Sequence, residues 1–373
     1  MNTMGVGIIG CGNISAAYLR LAPMFRGIEI RAVADVDLNA ANARAAEFGV
    51  RSETVDGLLE ADDIDIVVNL TVPAAHFAVS SKILAADKHV YSQKPFVLSL
   101  DEGAEIKRLA AAGNLRVGSA PDTFLGGAHQ QARQLIDDGT VGEVTSGTAF
   151  VLNHGMEAWH PNPDFFFLPG AGPVLDLGPY YVTNLVQLIG PVARVSALSS
   201  TPSKVRTILS DARKGEEIPV ETPTTVYALL EFESGAVVTL CTSWDVWSHS
   251  HKPMELYGTN ASLDVPDPNF FGGDLILAAP DSDAQAVAPW DHPFGAVNDG
   301  PHANYRAAGL ADMALAILEG RAHRCSLELA HHVVDVMTGI LASGESRRFV
   351  DMTTTCDRPD PLTPEDAAAM MVT

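Results

Sequence analysis

The chain has 373 residues, 47% of them hydrophobic, which is enough for one to three packed domains and too apolar for a disordered protein. Its 24 Lys and Arg against 46 Asp and Glu give a formal charge of −22, a field that repels phosphate backbones and argues against nucleic acid as a partner. No apolar run approaches a membrane span, no basic segment with a long apolar stretch opens the chain, and Cys11, Cys241, Cys325 and Cys356 form no C-x-x-C pair; a cytoplasmic protein with reduced thiols is expected.

Residues 5–9 form a short apolar strand, Gly10-Cys11-Gly12-Asn13-Ile14-Ser15 a glycine turn, and 16–21 a helix. In that context Gly10 allows the tight turn, Gly12 lets the backbone approach a diphosphate, and the helix N-terminus at Asn13 and Ile14 offers free N–H groups. Ser15 stands where a third small residue is expected. A second strand, 29–34, ends at Asp35, whose carboxylate is spaced to accept hydrogen bonds from ribose hydroxyls and to repel a 2′-phosphate. NAD is therefore expected in preference to NADP. Helices over 41–48 and 55–60, a buried strand over 64–70, a helix from about 71 to 86 that opens on Thr71, Pro73 and His76, a strand at 90–91, a helix over 101–112 and a strand at 116–119 continue the alternation. Strand and helix alternate with short connections, so a doubly wound parallel sheet is expected over 1–124. Its ligands should sit beyond the strand C-termini, where Thr71, Gln93, Lys94 and Asp122 fall.

After a connecting helix at 126–138 the pattern changes. Strand-like runs at 144–152, 192–199, 224–232, 236–242, 254–257 and 262–265 predict an α+β domain with a large, mostly antiparallel open sheet over 125–350. An exposed sheet face makes a homo-oligomer, a dimer or tetramer, the expectation. The loop 153–172 carries Asn153, His154, Glu157, Trp159, His160 and three consecutive phenylalanines, a composition suited to a sugar-binding wall or to a packed surface loop. Trp290, His292, His302 and Asn304 are further candidates for the pocket. Helices are expected at 180–188, 305–319 and 331–343, and 351–373 reads as a wrapping tail. For the helix at 180–188, Asp176 is a possible N-cap. His249 and His251 share a strand face but lack a third clustered ligand, so no metal site is expected.

Lys94 in Gln93-Lys94-Pro95, together with Asp176-Leu177-Gly178-Pro179-Tyr180, gives the crevice a reactive set. With these motifs, GCGNIS at 10–15, AD-V-D at 34–37, Pro73 to His76 and GPVLDLGPYYVTNLVQLIG at 172–190, the chain resembles the glucose–fructose oxidoreductase / inositol dehydrogenase / rhizopine-catabolism (Gfo/Idh/MocA) family. The resemblance implies an NAD(P)-dependent dehydrogenase of sugars, cyclic polyols and related compounds, with Lys94, Asp176 and the residue at 180 beside the reacting carbon. Two positions depart from the family pattern: Gln93 replaces the usual glutamate, and Tyr180 the commoner histidine. Tyr180 and Lys94 are expected to share proton transfer, with Asp176 as orienter and Tyr181 as the weaker tyrosine candidate; Asn153, His154, Trp159 and His160 are expected to contact substrate. Two other functions compete with it: a catalyst that recycles tightly bound NAD while isomerising, eliminating from or cleaving a sugar, and a non-catalytic NAD- or sugar-sensing protein, against which Lys94, Asp176 and Tyr180 together argue, since a sensor needs no such set.

Overall fold

A computed structural model describes residues 3–372. The first apolar strand, β1 (Met4–Ile9), lies at the centre of a six-stranded sheet with β2 (Ile28–Ala34), β3 (Arg51–Glu53), β4 (Ile66–Asn69), β5 (His89–Ser92) and β6 (Val117–Ser119), in the order β3-β2-β1-β4-β5-β6. Every pairing in it is parallel. Helices α1 (Asn13–Leu21), α2 (Leu38–Phe48), α3 (Val55–Glu60), α4 (His76–Ala85) and α5 (Leu100–Gly113) make the crossovers. Strands buried on both faces need continuous apolar sequence, which β1 and β4 supply. The order reverses between β1 and β4, and the crevice beyond their C-termini is the switch point where such sheets take ligands.

Helix α6 (Gly127–Asp137) leads into the second domain, whose nine-stranded sheet is built on β7 (Val144–Leu152). Helix α7 (Pro173–Ile189) follows, then β8 (Val192–Ser200), a separate hairpin of β9 (Val205–Thr207) and β10 (Glu217–Pro219), β11 (Thr225–Phe232), β12 (Val237–Ser243), β13 (Met254–Gly258), β14 (Ser262–Val265), β15 (Ile276–Ala278) and β16 (Gln285–Ala286). Helices α8 (Ala308–Glu319) and α9 (Leu327–Ser346) and the short strand β17 (Val350–Asp351) come next. The strand order is β16-β15-β14-β13-β7-β12-β11-β8-β17. All neighbours are antiparallel except β7 and β12, which run parallel because α7 and the β8–β11 strands intervene between them in the chain. One face of the sheet packs on α7 and α9, and the other leaves Leu198, Tyr227, Leu229 and Val237 exposed.

Helix α7 begins at Pro173, with Pro179 inside it, so the predicted start at Tyr180 is too late. Its N-cap is Gly172, and Asp176 lies in the first turn rather than capping it. The residues after β17 return across α6, where the Leu362 N–H donates to Gln130 Oε1 at 2.7 Å, and end in α10 (Pro364–Met370) against the nucleotide-binding half. There the Arg26 N–H donates to the Met370 carbonyl at 2.8 Å and the Val372 N–H to Met24 at 2.9 Å. No helix among the described residues is long and apolar enough to cross a membrane.

Candidate active site

The glycine turn shows two different demands. Gly10 has φ +108°, and a Cβ there would lie 2.6 Å from the Leu70 carbonyl, so no other residue fits. Gly12 is exposed, with nothing within 4 Å of an added Cβ, and no side chain caps α1. That leaves the first N–H groups of α1, at Asn13 and the half-buried Ile14, with room for a diphosphate against them. At the end of β2, Asp35 accepts from the Cys11 N–H at 2.7 Å through Oδ2 and from the Asp37 N–H at 2.9 Å through Oδ1. Each oxygen keeps a lone pair for a ribose hydroxyl. A cleft of about 560 Å³ runs from Gly10, Gly12 and Asp35 past Leu59 and Thr71 to Val79. Val36 and Val72, 97% and 66% exposed, stand on its rims as apolar side chains that a flat base would cover. These residues fit a dinucleotide. The apolar rim was missed in the sequence because single valines at strand ends carry no pattern.

Several cofactor candidates have other work. Thr71 lines the cleft, its hydroxyl donating to Asn69 Oδ1 at 2.7 Å, and Pro73 opens the short turn before α4. His76 has no exposed surface; Nδ1 is 2.7 Å from the Pro95 carbonyl and Nε2 3.0 Å from that of Thr71. It ties the β4 loop to the Lys94 loop and cannot touch a ligand. Asp122 is likewise buried, its Oδ2 accepting from the Ala307 and Gly309 N–H groups at 3.1 Å each. It anchors the start of α8 instead of binding cofactor, and burial pushes its carboxyl above the usual range. Gln93 accepts from the Lys94 N–H at 2.8 Å through Oε1 and holds the loop on which Lys94 is presented.

Lys94, Asp176 and Tyr180 come together. Asp176 and Tyr180 are one turn apart on α7 and so share a face. Lys94 Nζ donates to Asp176 Oδ1 at 2.8 Å and to the Asp176 carbonyl at 2.6 Å, and lies 5.2 Å from the centre of the Tyr180 ring. The two charged side chains are 17% and 21% exposed. Burial pulls the Lys94 pKa down, but the Asp176 carboxylate, Tyr180 and the hydrogen bond to Asp176 outweigh it and hold the ammonium above its usual value; Arg306 works against them. Arg306, which the sequence did not single out, donates to Asn304 Oδ1 at 3.2 Å and to the Asn269 carbonyl at 3.2 Å. Tyr181 points elsewhere: it is buried and donates to Asp267 at 3.2 Å.

A second cleft of about 310 Å³ adjoins α7, lined by Asn153, Leu177, Tyr181, His249, Asp267 and Asn269. Of these only Asn153 was picked out as a substrate contact. His154 stacks on Trp247 with ring centres 3.4 Å apart. His160 is wedged edge-on between Trp159, Phe165 and Phe166, and Trp159 is 65% exposed. The loop is not a uniform aromatic wall, because Phe167 and Glu157 are buried beneath it, Glu157 in an ion pair with Arg206. Trp290 and His292 lie away from the pocket: Trp290 Nε1 donates to Gly127 at 2.8 Å and His292 is buried against Leu362. His302 stacks on Phe270, and Asn304 is buried.

A parallel sheet with a crevice that fits a dinucleotide, and a lysine–carboxylate–tyrosine set formed by the loop after β5 and by α7, define a nucleotide-dependent oxidoreductase. The chain belongs to the Gfo/Idh/MocA oxidoreductase family: residues 4–120 match the family's NAD-binding Rossmann domain and residues 129–264 one of its C-terminal domains. A dTDP-3,4-didehydro-2,6-dideoxy-alpha-D-glucose 3-reductase of Saccharopolyspora spinosa is 29% identical over 70% of this chain and 74% of its own length. An inositol 2-dehydrogenase of Ralstonia nicotianae is 30% identical over 38% of this chain, which spans only 43% of that protein. Levoglucosan dehydrogenase, solved with NADH and L-sorbose, superposes with a TM-score of 0.81 over 94% of this chain and 99% of its own, at 21% identity.

Proposed function

We propose that this oxidoreductase is an NAD-dependent dehydrogenase that oxidises a secondary hydroxyl or hemiacetal of a sugar or cyclic polyol in the cytoplasm. The observation that carries the reading is the Lys94 ammonium, just beyond the C-terminal end of β5, held between the Asp176 carboxylate and the Tyr180 ring. The sugar and polyol substrates named for the matched reductase, inositol dehydrogenase and levoglucosan dehydrogenase support the substrate class. When bound, the nicotinamide supplies the acceptor for a hydride. Asp176 fixes the Lys94 side chain by two hydrogen bonds to one residue. Lys94, kept charged, stabilises the negative charge that develops on the substrate oxygen. Tyr180, whose ring lies 5.2 Å from the Lys94 ammonium and which shares a face of α7 with Asp176, is the group placed to carry the hydroxyl proton. Asn153 and the polar groups of the adjoining cleft take the remaining hydroxyls.

The test is NADH formation from NAD⁺ with a panel containing levoglucosan, myo-inositol, aldopyranoses and methyl glucosides, with Lys94→Ala as control. A signal present in the parent and lost in the variant is expected. A variant that turns over like its parent sinks the assignment.

A further inference from the structure

Residues 201–222 leave the large sheet after β8 and return at β11 without adding a strand to it, since β9 and β10 pair only with each other. This excursion lies along the loop that precedes α7. The Leu209 and Ser210 N–H groups donate to the Glu157 carbonyl at 3.0 and 3.1 Å, and the Glu221 N–H donates to that of Phe167 at 2.9 Å. Thr222 Oγ1 donates to the Ala171 carbonyl at 3.3 Å, and Arg213 is paired with Asp164. Beneath these contacts sits a small apolar core separate from the main one, formed by Met156, Phe167, Ile208, Ile218, Val220 and Trp244.

At its base one guanidinium joins three segments. Arg206, 7% exposed, donates to Glu157 Oε1 in the loop at 3.0 Å and to the Trp244 carbonyl after β12 at 3.0 Å, and is paired with Asp245. Asp245 in turn accepts from the hydroxyls of Thr224 and Thr225 at 2.8 and 2.6 Å. One residue on, the Val246 N–H donates to the Asn153 carbonyl at 3.0 Å, where the loop begins. Apolar side chains of similar volume would hold a surface loop as well as a buried ion triad does, without the cost of taking charges out of water. A planar fork sets direction as well as distance.

We propose that Arg206 is a positioning residue for substrate recognition: through Glu157 and the Trp244–Val246 segment it fixes the loop 153–172 and with it Asn153 and His154. The proposal rests on the dehydrogenase reading for its ligand, a neutral sugar or polyol, and deepens it by assigning substrate fit to the 201–222 excursion. It departs from a purely structural role in one respect: substrate fit weakens while cofactor binding and the chemical step are spared.

The experiment compares the full-length parent with Arg206→Lys and, as a milder change that keeps one hydrogen bond, Glu157→Gln. NADH affinity is read by NADH fluorescence. Binding of levoglucosan, myo-inositol and D-glucose is read by intrinsic tryptophan fluorescence, Trp159 and Trp247 being on or against the loop, and turnover gives KM and kcat separately. In Arg206→Lys, KM and the sugar dissociation constant should rise about tenfold, with kcat and NADH affinity within about threefold. Unchanged KM and sugar affinity in both folded variants overturns the proposal, as does a parallel loss of kcat and NADH affinity. A parent that binds none of the sugars overturns the dehydrogenase reading and this inference together, whereas a parent signal left unaltered in the variants overturns this inference alone.

Discussion

Replacing Lys94 by Met removes the charge paired with Asp176 while keeping most of the side chain's length. A unit charge about 4 Å from a developing alkoxide, at an effective dielectric near 20, is worth about 4 kcal/mol. At about 1.4 kcal/mol per tenfold in rate, that corresponds to nearly a thousandfold. Lys94 retains 17% exposure, so water screens part of this, and Lys94→Met should lower kcat by roughly 100- to 1000-fold. Steady-state kinetics on the best substrate of the panel, with NADH affinity measured in parallel, reads the loss. The pH profile adds an independent check through Asp176→Asn. Asp176 is the strongest influence holding the Lys94 pKa above its usual value, so removing its charge lets that pKa fall. The alkaline limb of kcat, set by loss of the ammonium, should then move to lower pH than in the parent. Lys94→Met within tenfold of the parent, or an alkaline limb that stays in place in Asp176→Asn, refutes the electrostatic role.

Asp35→Ser removes a charged acceptor from the ribose position and should weaken NAD⁺ binding about 10- to 100-fold while narrowing the preference over NADP⁺, as measured by titration; unchanged selectivity would remove Asp35 from the ribose site. The exposed face around Leu198, Tyr227 and Leu229 is proposed to meet a second copy of the chain, so light scattering should give an oligomeric mass that Leu198→Asp/Leu229→Asp reduces; a monomeric parent ends that reading. His129 and His292 are buried and held at about 4 by desolvation. Unfolded imidazoles protonate near 6.5 and these folded ones near 4, so the stability they confer is whole above about 6.5 and is lost as pH falls through that window. It amounts to on the order of 3 kcal/mol apiece. The raised carboxyls of Asp122 and Asp267 act in the opposite sense. Thermal melts from pH 8 to 4 should show a falling midpoint that is flatter in His129→Gln, and a midpoint indifferent to pH between 7 and 4.5 would contradict the assignment.

The nucleotide half was legible because its signals are local: an apolar strand, a glycine turn and a helix follow one another within residues 4–21. β3 escaped because Arg51-Ser52-Glu53 is a short, polar edge strand with no apolar pattern. The start of α7 escaped because Pro179 reads as a helix breaker, although it sits inside the helix. Lys94, Asp176 and Tyr180 could be chosen by motif, but the sequence held no sign that Asp176 would offer Lys94 both its carboxylate and its carbonyl. His76 and Asp122 were misassigned for a related reason. Both stand where ligands gather, but His76 is buried between the carbonyls of Thr71 and Pro95 once β4 and β5 lie side by side, and Asp122 against the N–H groups of Ala307 and Gly309 nearly two hundred residues on, pairings that no local pattern announces.

The segment after β17 ties the far edge of the large sheet back to the strands beside the glycine turn, ending where Met370 and Val372 hydrogen-bond to Arg26 and Met24. Two lobes joined by an outgoing and a returning strand of chain are braced at both attachments, so that opening them works against the hydrogen bonds of the returning segment. Cutting the returning segment between 353 and 362 should therefore quicken NADH release while leaving every side chain of the crevice in place, an effect that stopped-flow fluorescence would register directly.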